Sequence, residues 1–205
     1  MNEKIVVTIK NLRESSKTRK FSQTFDAIIT LKELDLKKPE SKINDEVLLP
    51  HGKGKEAKVV VFSDTVKANN AEIFSGNHLD MLSRNKRAAK RLAKDADFIL
   101  AEPKLMPLVG KILGQSLGPK GKIPKVISGD LAMLVANLKK SVRARIKDSP
   151  VVQCPIGGEQ MKDEQIAENL ESLLKHLETR LPKGKANIGK VEIKLTMSKP
   201  IKVEV

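Results

Sequence analysis

The run Val59-Val60-Val61-Phe62 presents no polar side chain to either face of an extended chain. Side chains of a strand alternate between two faces, so this run requires apolar cover on both, as in the middle of a parallel sheet. Phe98-Ile99-Leu100-Ala101 makes the same demand further along. Helical spacing is read around 66–74 and 79–94, and again through Leu105, Leu108, Val109, Ile112 and Leu113, with Pro103 suited to that helix's first turn. A Gly/Lys/Pro loop at 118–125 leads to Val126-Ile127, and 131–138 is helical in pattern. This β/α alternation across 58–140 predicts a three-layer α/β unit.

The two ends of the chain follow another rule. Ile5, Ile9 and Leu12 predict a helix over 3–14, with Asn2 as its N-cap. From Thr24 the period drops to two: Phe25, Ala27, Ile29 and Leu31 alternate with more polar residues, predicting a strand with one buried face. A polar, Pro-containing connection at 35–44 and a short strand at 47–49 follow. Asp148-Ser149-Pro150 marks a turn between 142–146 and 151–154. Ile166, Leu170, Leu173, Leu174 and Leu177 form the stripe of an amphipathic helix over 163–180. Its start carries Asp163 and Glu164 and its end Lys175 and Arg180, as the helix dipole favours. Val191, Ile193 and Leu195, then Ile201, Val203 and Val205, give two last strands about a turn at Ser198-Lys199-Pro200. The economical architecture is a discontinuous α+β domain built from 1–56 and 151–205, with an α/β domain, 57–150, inserted into it. Gly52 and Gly54, in Pro50-His51-Gly52-Lys53-Gly54-Lys55, are the expected hinge.

Charge narrows the partners. The chain carries 39 Lys+Arg against 25 Asp+Glu, a formal +14. Cut at the expected boundaries, the surplus is +3 in 1–56, +10 in 57–150 and +1 in 151–205. Such an excess attracts polyanions. With no Trp, no Tyr and 5 Phe, the chain lacks the aromatic platforms on which single-stranded bases stack. Recognition of backbone and folded shape is expected instead.

Catalytic chemistry finds no foothold. Gly52-Lys53-Gly54-Lys55-Glu56-Ala57 fits a loose dinucleotide fingerprint, but a β-branched run follows it where a helix is required. The loop Gly114-Gln115-Ser116-Leu117-Gly118-Pro119-Lys120-Gly121-Lys122-Ile123 resembles a phosphate loop in composition only. Ile123 stands where a Mg²⁺-binding hydroxyl belongs, and Pro119 removes an amide donor. A contact to RNA backbone fits it better, with a plain solvated loop as the equal alternative. His51, His78 and His176 show no metal-ligand spacing, and the lone Cys154 excludes a disulfide framework. No signal peptide or membrane-spanning window is read. The expectation is a cytoplasmic protein, not an enzyme, with no cofactor, metal or membrane partner.

Five segments in register resemble one family. They are Lys20-Phe21-Ser22-Gln23-Thr24, Leu49-Pro50-His51-Gly52-Lys53-Gly54-Lys55, Leu117-Gly118-Pro119-Lys120-Gly121-Lys122-Ile123-Pro124, Cys154-Pro155-Ile156-Gly157 with the 163–180 helix, and Thr196-Met197 before the last strand. Together they span essentially the whole chain and resemble the ribosomal protein L-one family of the large-subunit side stalk, in its archaeal-type form. The resemblance implies a split β-α-β first domain and a Rossmann-like second domain. It implies binding to large-subunit ribosomal RNA at the mobile exit-site stalk, contact with deacylated exit-site tRNA as it leaves, repression of translation of the protein's own mRNA, and a monomer when free of the ribosome. Carried over by motif, the RNA-binding residues are Lys20, Phe21, Thr24, Thr196, Met197 and Ser198, with Lys120, Lys122 and Lys125 as a secondary RNA or tRNA contact. Ser198 departs from the glycine common at its position, which implies another turn conformation or some strain. Gly158 and Gln153 also depart from the Lys and His frequent in bacterial relatives.

Overall fold

A computed structural model describes residues 2–36, 43–64 and 71–203. Among these residues the chain runs α1 (Asn2–Ser15), β1 (Thr24–Leu31), β2 (Asn44–Leu48), β3 (Val59–Phe62), β4 (Glu72–Phe74), α2 (Gly76–Arg84), α3 (Lys86–Asp95) and β5 (Phe98–Ala101). It continues through α4 (Met106–Leu117), β6 (Lys125–Val126), α5 (Leu131–Lys140), β7 (Ser141–Arg145), β8 (Val151–Gly158), α6 (Asp163–Arg180), β9 (Ile188–Leu195) and β10 (Ile201–Val203). The chain divides into two compact units, one of Met1–Glu56 with Lys140–Val205 and one of Ala57–Lys139.

In the first unit, the alternation of β1 does what its period demands: Phe25, Ala27, Ile29 and Leu31 are buried and the residues between them half-exposed. The sheet order is β10-β9-β1-β8, all antiparallel, so β1 lies between two strands supplied by the far end of the chain. The apolar stripes of α1 (Ile5, Ile9, Leu12) and α6 (Ile166, Leu170, Leu173, Leu177) are buried with the sheet in one core. Helix α1 includes Asn2, so this residue is the first of the helix and not the N-cap expected of it.

Arg13 joins the two helices. Its Nε donates to Asp163 Oδ1 at 2.7 Å, and its two amino groups donate to the carbonyls of Glu159 (2.5 Å) and Met161 (2.6 Å). The guanidinium also stands over the Phe25 ring, 5.0 Å from its centroid. One planar fork thus ties the end of α1 to the start of α6, where Asp163 already suits the helix dipole.

β2 and β7 form a separate antiparallel ribbon, Asn44 opposite Arg145 and Leu48 opposite Ser141. The compact second unit therefore ends at Lys139, short of residue 150, because 141–145 pairs with the first unit. This changes the charge division. Each unit carries a formal surplus of +7, from 25 basic against 18 acidic residues in the first and 14 against 7 in the second. The concentration of charge expected in 57–150 came from counting the basic β7 segment with the insert.

The second unit is a parallel sheet of order β4-β3-β5-β6. All four residues of β3 and of β5 are buried, as their composition requires. Val60, Phe62, Ile99 and Ala101 share a core with α2, α3 and α4, while Val59, Val61, Phe98 and Leu100 share another with α5. Three readings need correction. Residues 72–74, expected to be helical, form edge strand β4, and 66–70 lie outside the described residues. The pattern over 79–94 is two helices, parted at Asn85, whose side chain accepts from Ala88 N–H at 3.1 Å and starts α3 afresh. Pro103 lies in the turn before α4, and Pro107 occupies that helix's first turn.

Burial pushes the Cys154 thiol up to about 12, so it acts as a small apolar core residue. Replacement of Arg13 by alanine should lower stability by about 2 kcal/mol, because it removes charge-assisted bonds at a half-buried site. Urea denaturation should show a lower midpoint with an unchanged slope, and Arg13→Lys should not restore it, since one ammonium cannot match three separated acceptors.

Candidate RNA-binding surface

The antiparallel register sets Phe25 opposite Leu195, which brings the start of β1 against the end of β9. There Thr24 and Thr196, 172 positions apart in sequence, become a pair. Thr24 N–H donates to Thr196 Oγ1 at 3.1 Å, Thr196 N–H donates to the Thr24 carbonyl at 3.1 Å, and the two hydroxyl oxygens lie 3.1 Å apart. A hydroxyl has one donor and two acceptor lone pairs, so the pair keeps capacity for a further partner. Thr196 is exposed and Thr24 half-buried.

Gln23 underlies this pair. It is 2% exposed, and its Oε1 accepts from Met197 N–H at 3.3 Å. Its own N–H donates to Glu159 Oε2 at 2.8 Å, and its carbonyl accepts from Glu159 N–H at 2.9 Å. The residue was noted in the sequence only as part of a motif. The signal was available, because Gln23 shares the parity of Phe25 and so belongs to the buried face.

Around this frame lie apolar and cationic side chains in solvent. Phe21 is 50% and Met197 60% exposed, so Phe21 is no core residue. Lys20 is exposed beside Phe21. A groove of about 370 Å³ is lined by Lys17, Arg19, Gln23, Met197, Ser198 and Lys199, with Ser15, Ser16 and Ile201. Lys17, Arg19 and Lys199 are further members of the surface that the sequence reading did not nominate.

Ser198 is unstrained. Among the described residues the only non-glycine with positive φ is Glu33. Ser198 N–H donates to the Leu195 carbonyl at 3.0 Å and closes the turn, while its hydroxyl oxygen accepts from Leu195 N–H at 2.8 Å. A side-chain bond does here what a glycine conformation would do otherwise.

Gly52 and Gly54 are both at positive φ, +66° and +83°. The Gly52 carbonyl accepts from Asn169 Nδ2 at 2.8 Å, and that fully buried amide also accepts from His51 N–H at 3.1 Å. A Cβ on Gly54 would fall 2.7 Å from Gly158 N. Glycine at position 54 thus lets the 52–54 loop approach β8 closely. Both glycines are anchored to the first unit.

In the second unit, Lys120 and Lys125 are exposed at either end of the 118–125 loop. Lys122 is not an outward contact. Its ammonium donates to the carbonyls of Ala93 (3.0 Å) and Lys94 (2.9 Å), and to that of Ala96. It closes the end of α3, where unpaired carbonyls and the negative end of the helix dipole attract a cation.

A mixed α/β chain whose two terminal motifs meet in a cationic, partly apolar surface has the form of a binding protein, and among the described residues no three His, Cys, Asp or Glu side chains gather as a metal site. Residues 12–199 match the Ribosomal protein L1p/L10e family, and the chain belongs to that family. It is 41% identical over 210 residues to the large ribosomal subunit protein uL1 of Thermococcus kodakarensis, covering 98% of this chain and 97% of that one. The uL1 proteins of Methanocaldococcus jannaschii (40% over 209 residues, 98% and 95% covered) and Picrophilus torridus (42% over 202, 96% and 95%) are similar to it. The family is one of non-enzymatic ribosomal proteins.

Substituting Lys122 by alanine should lower thermal stability, by about 1–2 kcal/mol, while leaving the salt dependence of RNA binding unchanged. Lys120→Ala should do the reverse. Thermal melts and filter binding across a salt series check both.

Proposed function

We infer that the chain is a structural constituent of the large ribosomal subunit that binds ribosomal RNA at the mobile exit-site stalk. The observation that carries this reading is the Thr24–Thr196 pair held over buried Gln23, with exposed Phe21, Met197 and Lys20 around it. Thr hydroxyls and turn amides are suited to 2′-OH and phosphate groups, and Phe21 and Met197 to packing against sugars. In this reading the first unit is the split β-α-β RNA-binding domain and the second a Rossmann-like one. The RNA-contacting set is Lys20, Phe21, Thr24, Thr196, Met197 and Ser198, joined by the groove cations Lys17, Arg19 and Lys199. Lys120 and Lys125 add attraction to neighbouring RNA or exit-site tRNA, assisting release of the deacylated tRNA. The same surface recognises a mimic of the ribosomal site on the protein's own mRNA and represses its translation. Free of the ribosome the protein is a cytoplasmic monomer.

The test is competition at about physiological salt, where non-specific attraction is weakened. Labelled side-stalk RNA should stay bound under an excess of unrelated structured RNA. Phe21→Ala and Thr196→Ala should each weaken that complex about tenfold or more, since about 1.4 kcal/mol is a factor of ten. Complete displacement of the wild-type complex would leave only a generic polycation and sink the ribosomal reading.

A further inference from the structure

Helix α3 is built against its own stability. Its sequence, Lys86-Arg87-Ala88-Ala89-Lys90-Arg91-Leu92-Ala93-Lys94-Asp95, turns every cation to solvent and buries Ala89 and Ala93 against the second unit's core. Residues 84–95 hold six basic side chains and one carboxylate. The pairs Lys86–Lys90, Arg87–Arg91 and Lys90–Lys94 stand at i,i+4, where like charges repel. Lys86 and Arg87 occupy the first turn, at the positive end of the helix dipole, with no acid there to offset them. Arg91 faces Asp95 at 3.8 Å, a weak relief with Arg91 almost fully exposed. Folding alone does not favour this arrangement, and a side-chain set that violates local preferences marks a surface shaped by something else.

We propose that the outward face of α3 is a second nucleic-acid-binding surface, which grips the sugar–phosphate backbone of structured RNA through Lys86, Arg87, Lys90, Arg91 and Lys94. The inference rests on the RNA-binding reading above and gives the second unit its principal contact. At 1.5 Å rise per residue, cations four positions apart stand about 6 Å from one another along the axis and form two neighbouring rows, Lys86-Lys90-Lys94 and Arg87-Arg91. Rows of point charges and guanidinium forks match a line of phosphate oxygens. The face carries no exposed aromatic or large aliphatic anchor, which a protein interface would need at its centre. The apolar side of the helix is already buried, so nothing is left to enter a lipid surface. Recognition here is of charge and backbone, without sequence, and complements a shape-reading site on the first unit.

The test uses the full chain with Arg87, Lys90 and Arg91 all changed to glutamine. A second triple variant, Lys58, Lys104 and Lys111 to glutamine, removes the same charge from elsewhere in the unit. Each is titrated with an unrelated double-stranded RNA of forty base pairs and with side-stalk RNA, from about 50 to 300 mM KCl. For the α3 variant, the log–log salt slope on the unrelated duplex should become shallower by about two to three, at about 0.9 per lost phosphate contact. Its melting temperature should be equal or higher, because like-charge repulsion is relieved. The preference for side-stalk RNA under competition should persist. A slope unchanged in the α3 variant, or one changed equally in both variants, overturns the proposal. Retained duplex slope together with lost binding to anionic phosphatidylserine vesicles, or to an acidic protein such as poly-glutamate, overturns it in favour of another partner. Failure of the ribosomal reading is distinguishable, because it shows as loss of side-stalk preference in the wild-type protein.

Discussion

Strand β1 is paired on both edges by strands from the other end of the chain, and most of the first unit follows from that. Its register against β8 and β9 fixes Ala27 opposite Cys154 and Ile193 at once. A slip of one residue would turn Phe25, Ala27, Ile29 and Leu31 out of the core and bring Asp26 into it. The strand cannot be completed until the C-terminal segment arrives, so the intervening residues are necessarily an insertion. They need a core of their own, and the two-sided burial of β3 and β5 supplies it.

The same pairing creates the candidate surface. Thr24 and Thr196 are ordinary surface threonines until the register makes them neighbours. Gln23 and Glu159 then anchor the turn of Met197 to the sheet, and Arg13 fixes the Glu159–Met161 segment against α1 and α6. The backbone under the exposed Phe21 and Met197 is thus held by buried polar bonds, which reduces the reorganisation needed on binding. Polar groups buried with their partners satisfied specify one arrangement of the turn, because any other leaves a donor or acceptor stranded.

Lysines with similar sequence surroundings have different fates. Lys120 and Lys122 are two residues apart in one Gly/Pro loop, and both read as phosphate contacts. Only the fold reveals that Lys122 reaches the carbonyl end of α3. Charge counting is equally sensitive to topology. Four basic residues between 140 and 147 moved the excess from the insert to an even division once β7 was seen to pair with β2.

The pattern of apolar residues was enough to determine the main elements: period two for β1 and β9, period 3.6 for α1 and α6, unbroken runs for β3 and β5. Each is a local demand for burial that holds whatever the neighbour. The motifs at 20–24 and 196–197 were legible through the family resemblance and not through periodicity. Tertiary structure decided what depends on partners distant in sequence. It set the end of the second unit at Lys139, turned 72–74 into an edge strand beside β3, and paired Thr24 with Thr196. It also kept Ser198 unstrained through a hydroxyl bond and drew Lys122 inward. Burial preference is a property of a residue and its near neighbours. Hydrogen-bond partners, register and the sign of a local field exist only when separate segments meet.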